Sequence, residues 1–337
     1  MDKHRVLVVG VGSIGERHLR CFQTTGRCLV GFCEPNKSLR STIDARYEVL
    51  RSSADLDGAL QAKPYDAAVI ATPAQLHVPI ACRLADAGIH LLIEKPLSTS
   101  TDGIDQLTRV AKERSLAVAV AYTHRAHPAV DAVKRSIDEG RFGNPLQITV
   151  TSGQHFPTYR PAYREIYYVD RKTGGGAVQD GMTHMVNLAE WLVGPIDRLV
   201  TDADHLALPG VTVEDTVHTL ARHGDVMGSY ALNQHQAPNE TTITVVCEQG
   251  TLRIDYSCMR WSWIQEPSTN WQHETVDVLD RDSLYVRQAN SFLDFVEGTA
   301  EPLCSLSEGI QTLHVNLASL RSVESGKWEK VGPKTEA

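Results

Sequence analysis

Six residues near the start, Gly10-Val11-Gly12-Ser13-Ile14-Gly15, constrain this chain more than any other stretch. They follow a short apolar run, Arg5–Val9, and open an amphipathic pattern at Ile14–Gln23. Between a strand and a helix, glycines at this spacing allow a tight turn, close approach of the backbone to a pyrophosphate, and close helix–strand packing. The pyrophosphate then meets the unpaired N–H groups of the helix N-terminus. The spacing predicts a dinucleotide site on Gly10, Gly12, Ser13, Ile14 and Gly15. After the next apolar run, Cys28–Cys33, comes Glu34, close to the spacing of about 20 residues at which a carboxylate accepts the ribose hydroxyls of NAD. Arg40 is a complication, because an arginine there can accommodate the 2′-phosphate of NADP. NAD is the expected cofactor and NADP the lesser one.

The first 122 residues continue the alternation. Further strands are expected at Asp66–Ala71, His90–Glu94 and Ala117–Ala121, each a continuous apolar run, as for strands covered on both faces. Helices are expected at Ala54–Gln61, Pro79–Ala87 and Ile104–Arg114. Strands alternating with helices imply right-handed crossovers and a parallel sheet. After Tyr122 the pattern changes. A helix at Pro128–Asp138 and a strand at Leu146–Thr151 precede a stretch rich in Tyr, Arg, Pro and Gly that ends in Gly174-Gly175-Gly176. A helix from Val178 to Leu192 follows, then strands within Val211–Ala221, Val226–Asn233, Thr241–Cys247 and Thr251–Asp255, whose short connections point to an antiparallel sheet. Helices at Ser283–Glu297 and Ser307–Ser325 close the chain. The expected fold is α/β: a doubly wound parallel Rossmann sheet over residues 1–123, then an α/β domain with an open, mainly antiparallel sheet over residues 124–337.

The 337-residue length suits two domains, and a net charge of −8 argues against a nucleic-acid binder. The seven cysteines are scattered, without a Cys-x-x-Cys pair, as free thiols in a reducing compartment would be. With no signal-peptide pattern or membrane-spanning run, a cytoplasmic protein is expected.

Three further stretches bear on chemistry, each with a plain structural alternative. Lys95, in Ile93-Glu94-Lys95-Pro96, ends a strand where doubly wound sheets bind ligands, or it is a solvated cation. Asp180 and His184 sit four apart on a predicted helix, as a carboxylate orienting an imidazole or as a surface pair. In the loop Gly153–Arg164, Tyr159 and Tyr163 offer flat faces to a sugar, and Arg160 and Arg164 offer forked donors to carboxylate or phosphate. That loop can equally be docked by its own aromatics and charges. His124 and His127 lack an evident third ligand, so no metal is expected.

Together, the glycine turn, Ala71-Thr72-Pro73 with His77, Glu94-Lys95-Pro96, and the triple glycine leading to Asp180 and His184 resemble the glucose–fructose oxidoreductase, inositol dehydrogenase and rhizopine-catabolism family. Ser322 with Ser325-Gly326-Lys327 extends the resemblance to the closing helix. The resemblance implies Lys95, Asp180 and His184 as catalytic residues, with Thr72, Pro73, His77 and Glu94 bordering the cofactor. Met182, where a small residue is common, and Asn187, where an Asp often stands, depart from the pattern. The Gly153–Arg164 loop is similar to one in relatives that handle surface polysaccharides and nucleotide sugars, which implies His155, Tyr159, Arg160 and Arg164 as substrate contacts. The expectation is reversible hydride transfer at a hydroxyl-bearing carbon of a sugar, polyol or sugar derivative, acidic or nucleotide-linked sugars included, in a homodimer or homotetramer. An NAD-dependent glycosidase or epimerising relative, and a non-catalytic sugar- or dinucleotide-sensing protein, are the alternatives.

Overall fold

The structure is a computed structural model, in which residues 3–61, 65–267, 269–277, 279–280 and 282–332 are described. The chain forms two compact units, one of Met1–Ala126 with Leu279–Ile310, the other of His127–Val278 with Gln311–Ala337. The chain therefore returns to the first unit near its end, a crossing that a linear division at residue 123 leaves out.

The first unit runs β1 (His4–Val9), α1 (Ser13–Thr24), β2 (Cys28–Cys33), α2 (Lys37–Arg46), β3 (Ser52–Ser53), α3 (Leu56–Leu60), β4 (Ala67–Ile70), α4 (His77–Asp86), β5 (His90–Ile93), α5 (Ile104–Glu113) and β6 (Val118–Val120). The six strands pair in the order β3-β2-β1-β4-β5-β6, all parallel, which is the doubly wound order with its switch point beside β1. Val6, Leu7 and Val8 are fully buried because the sheet is covered on both faces. On α5, Ile104, Leu107, Val110 and Ala111 form one buried stripe, so the apolar period alone fixes that helix. By contrast α2 buries only Ile43. Its signal is Asn36, whose side chain caps the helix by accepting from Leu39 N–H at 3.1 Å.

The second unit contains α6 (Pro128–Asp138), β7 (Pro145–Gly153), α7 (Phe156–Tyr159), a π-helical turn (Val178–Met182), α8 (Thr183–Val193), β8 (Arg198–Asp204), β9 (Thr216–His223), β10 (Val226–Asn233), β11 (Glu240–Cys247), β12 (Gly250–Asp255), β13 (Arg260–Ile264) and β14 (Gln272–Thr275). Three elements follow: α9 (Ser283–Val296) in the first unit, then α10 (Leu306–Ser325) and β15 (Glu329–Lys330). In the first unit, Phe292 of α9 packs edge-on against Phe22 of α1, with ring centroids 6.2 Å apart. The second sheet has nine strands in the order β14-β13-β12-β11-β7-β10-β9-β8-β15. It is antiparallel except where β7 lies parallel to β10. Val130 and Val133 of α6, Met185, Val186 and Ala189 of α8, and Val315 and Ala318 of α10 pack against Ile148, Val150, Ile243 and Val245 on one face of the sheet. Leu220 and Met227 are exposed. The helix expected at Val178–Leu192 is a π-turn leading into α8. No helix among the described residues is long and apolar enough to cross a membrane.

Candidate active site

The three glycines of the N-terminal turn do different work. Gly10 has φ +82°, and a Cβ there would lie 2.9 Å from Ala71 O. A Cβ at Gly15 would lie 1.9 Å from Gly10 O, so only glycine lets α1 pack this close to the turn. A Cβ at Gly12 would meet nothing within 4 Å. Open space therefore faces the backbone just where α1 begins. The first bond of the helix runs from Glu16 N–H to Gly12 O at 2.8 Å, leaving the N–H groups of Ser13, Ile14 and Gly15 beyond the intrahelical ladder. The turn fits a pyrophosphate by its space and its donors together.

Glu34 stands beside this turn at the end of β2, 8 % exposed. Its Oε2 accepts from Val11 N–H at 3.2 Å and its Oε1 from Asn36 N–H at 2.9 Å. Those bonds fix the carboxylate and leave it further lone pairs. Arg40 donates to the Glu34 carbonyl at 2.6 Å, so its guanidinium is held beside the same corner.

At the ends of β4 and β5, His77 is fully buried, with Nε2 2.7 Å from Thr72 O and Nδ1 3.0 Å from Pro96 O. The ring thus sits between the Thr72-Pro73 turn and the cis Lys95–Pro96 turn, and in its neutral form donates its one N–H to one of the two carbonyls. Burial holds the His77 pKa below its ordinary value, against the opposing pull of the carbonyls. Glu94 lies inside the unit, its Oε1 2.6 Å from His18 Nε2 and its Oε2 accepting from Lys95 N–H at 3.0 Å. Lys95 itself is half-buried. His18, on the buried face of α1, is a residue that reading the motif missed; a His three positions beyond Gly15 is no signal until the fold brings its ring to Glu94, just past the end of β5.

In the second unit, Asp180 is 3 % exposed in the π-turn and accepts from the Tyr167 hydroxyl at 2.7 Å. His184, half-buried, opens α8. Four residues return close to the same face in either an α- or a π-helical turn, so both side chains share one side. Glu214, 1 % exposed, braces the start of the turn, accepting from Val178 N–H at 3.1 Å and from Arg171 Nε at 2.7 Å. A Cβ at Gly176 would lie in contact with the Glu214 carboxylate, which explains the last glycine of the triplet. Tyr167, Arg171 and Glu214 were not singled out from the sequence, since nothing local marks them. Met182 is buried, and Asn187 donates to Thr312 Oγ1 at 2.9 Å, a helix–helix contact.

The loop before the triplet divides. Tyr163 is buried against Phe156 and Tyr168, and Arg164 Nε donates to Pro209 O at 2.8 Å and Tyr163 OH at 3.0 Å, so these two dock the loop. Tyr159 is 51 % exposed, Arg160 is exposed over the Phe156 ring, and His155 Nδ1 lies 2.9 Å from Thr158 Oγ1. His127 caps α6 through Nδ1, which accepts from Ala129 N–H at 3.2 Å.

Residues 4–122 match the NAD-binding Rossmann fold of the GFO_IDH_MocA oxidoreductase family, and residues 130–253 match the GFO/IDH/MocA C-terminal domain. The chain belongs to this family. A levoglucosan dehydrogenase of Pseudarthrobacter phenanthrenivorans is 29% identical over 66% of this chain and 64% of its own length. A UDP-N-acetylglucosamine 3-dehydrogenase of Acidithiobacillus ferrooxidans is 28% identical over 64% of this chain and 66% of its own. These alignments thus span about two thirds of each relative. Among solved structures, a levoglucosan dehydrogenase in complex with NADH superposes with a TM-score of 0.88 at 22% identity, covering 98% of this chain and all of that one, which is 100%. The WlbA dehydrogenase from Bordetella pertussis, in complex with NADH and UDP-GlcNAcA, superposes with a TM-score of 0.83 at 25% identity, covering 98% of this chain and 100% of its own.

Proposed function

We propose that this chain is an NAD-dependent dehydrogenase acting on a hydroxyl-bearing carbon of a sugar, polyol or sugar derivative. The observation that carries the reading is Asp180, a buried carboxylate held by a phenol four residues before His184 in a family with an NAD-binding fold. Bound NAD supplies a hydride acceptor; Gly10, Gly12, Ser13, Ile14 and Gly15 hold its pyrophosphate and Glu34 its ribose, while Thr72, Pro73 and the turn beside His77 border it.

His184 takes the hydroxyl proton as general base. Asp180 orients the imidazole and stabilises it once protonated. Lys95 donates to the substrate oxygen and stabilises the charge that develops there. The names of the relatives favour a sugar-like substrate. Tyr159 and Arg160, exposed on the loop, suit a sugar carrying a negative charge, with His155 beside them. Arg164, docked on Pro209, gives less support to that role. All seven cysteines are free, six of them buried, which favours a cytoplasmic enzyme. Exposed Leu220 and Met227 favour a homo-oligomer.

The test is NADH production with NAD and a panel including levoglucosan, myo-inositol and UDP-N-acetylglucosamine. With an active substrate, His184→Ala should lower kcat by roughly 10²–10⁴-fold while NADH binding holds. Lys95→Met should lower kcat rather than raise KM alone. Undiminished turnover in both variants would remove them from the chemistry.

A further inference from the structure

Tyr167 donates its hydroxyl to Asp180 Oδ1 at 2.7 Å. The loop around it is built as a frame. Phe156, Tyr163 and Tyr168 form an aromatic cluster, with Phe156 and Tyr168 centroids 5.1 Å apart, closed by Leu208, Val211 and Val213. The Tyr163 hydroxyl donates to Pro209 O at 2.7 Å. Thr173 Oγ1 donates to Tyr167 O at 2.6 Å, and Gln179 Nε2 donates to Arg171 O at 2.8 Å. Arg171 and Glu214 then tie the loop to Val178 N–H. A Cβ at Gly175 would overlap Tyr168 O, so the glycine lets the frame lie directly on the π-turn.

We propose that Tyr167 is a positioning residue for the acid/base pair: its hydroxyl fixes Asp180 and takes up part of the carboxylate's charge, setting how strongly Asp180 acts on His184. This rests on the reading of Asp180 and His184 as that pair. A buried carboxylate holds its charge only against donors, and a phenol donating to it makes a charge-assisted bond. With less charge left over, Asp180 stabilises the imidazolium less, which keeps His184 a base near neutral pH. Other charged or titratable groups around the turn have their own engagements. Glu214 binds Arg171 and Val178 N–H, and Asp215 accepts from Leu206, Ala207 and Leu208 N–H. The Tyr168 hydroxyl donates to Gln234 and to Glu214 O. From α10, Thr312 and Asn316 bond Asn187 and Thr183 and carry no charge.

The experiment is an NMR titration of the His184 ring, its signal assigned by loss in His184→Gln, in the full chain and in Tyr167→Phe, Asp180→Asn and the double variant. Tyr167→Phe keeps the ring and removes only the hydroxyl. The proposal expects its His184 midpoint to rise by about half a pH unit, about threefold in proton affinity, with no such rise when Asp180→Asn is already present. An unmoved or lowered midpoint overturns it, as does an equal rise on both backgrounds, which would show an effect that does not pass through Asp180. If Asp180→Asn alone leaves His184 unmoved, the acid/base reading itself fails, a result distinct from failure of the Tyr167 proposal.

Discussion

Glu94 and His18 meet at 2.6 Å inside the first unit, 6 % and 1 % exposed. Burial alone would raise the Glu94 carboxyl, but the His18 hydrogen bond and charge, with the Lys95 charge and N–H, outweigh it and hold the group below its ordinary range. The pair joins α1, whose N-terminus faces the open space at Gly12, to the strand end that carries Lys95. His18→Leu should strand a buried carboxylate and cost on the order of 3–5 kcal/mol of unfolding free energy. His18→Leu with Glu94→Leu should recover much of that, as paired removal of buried charges does. Denaturant unfolding of the wild type, His18→Leu and the double variant checks it; a double variant no better than His18→Leu would show that the residues do not act as a pair.

The glycine turn gives a sharper separation of fold from binding. At Gly15 a Cβ would fall 1.9 Å from Gly10 O, so Gly15→Ala should destabilise the first unit and lower the melting temperature. Gly12 has φ −60° and open space where a Cβ would go. Gly12→Ala should therefore melt as the wild type does yet bind NADH at least about tenfold more weakly, a loss of ~1.4 kcal/mol. Wild-type NADH affinity in Gly12→Ala would mean that the space is not where the pyrophosphate lies.

The sequence showed the first unit well because buried parallel strands and striped helices are local patterns. It failed at α2, where the helix buries one residue, and at β3, too short for a period. In the second unit, the stretch expected to be strand from Val211 starts only at Thr216, because Asp215 turns inward and gathers the N–H groups of Leu206, Ala207 and Leu208. The residues of the motifs were visible; their partners were not. His18 reaches Glu94 across 76 positions and Arg171 reaches Glu214 across 43, so only the fold brings them together. Arg164 and Tyr163 show the converse, side chains suited to a ligand that dock on Pro209 instead.

His77 sets a pH dependence. Desolvation keeps its folded pKa below 6.5, so the folded state binds fewer protons than the unfolded one as the pH falls. Its contribution to stability is complete above the unfolded value and is lost as pH drops from 6.5 through the depressed folded value. Unfolding free energy of the wild type should decline across that window, and the decline should be shallower in His77→Gln, which carries no titrating group. Parallel profiles for the two proteins would show that His77 does not govern it.

Cofactor choice turns on Glu34. Its carboxylate is fixed by Val11 and Asn36 N–H at the end of β2, where the ribose of a dinucleotide lies in this strand order. NADP would bring a 2′-phosphate of about −1.5 to −2 charges to that corner. At roughly 5 Å and an effective dielectric near 20, each unit of like charge costs on the order of 3 kcal/mol before solvent and side-chain movement reduce it. Even about 2 kcal/mol is close to a thirtyfold preference. Arg40 opposes this, but its guanidinium is donated to the Glu34 carbonyl at 2.6 Å, so turning it to a phosphate means giving up that bond. With an active substrate, kcat/KM should favour NAD over NADP by at least about tenfold. Glu34→Ser should erode that preference mainly by improving NADP, since the repulsion goes while Arg40 remains. Equal use of both cofactors by the wild type would show that Glu34 does not hold the ribose, and a loss of NAD use with no gain for NADP in Glu34→Ser would show that its carboxylate serves the turn alone.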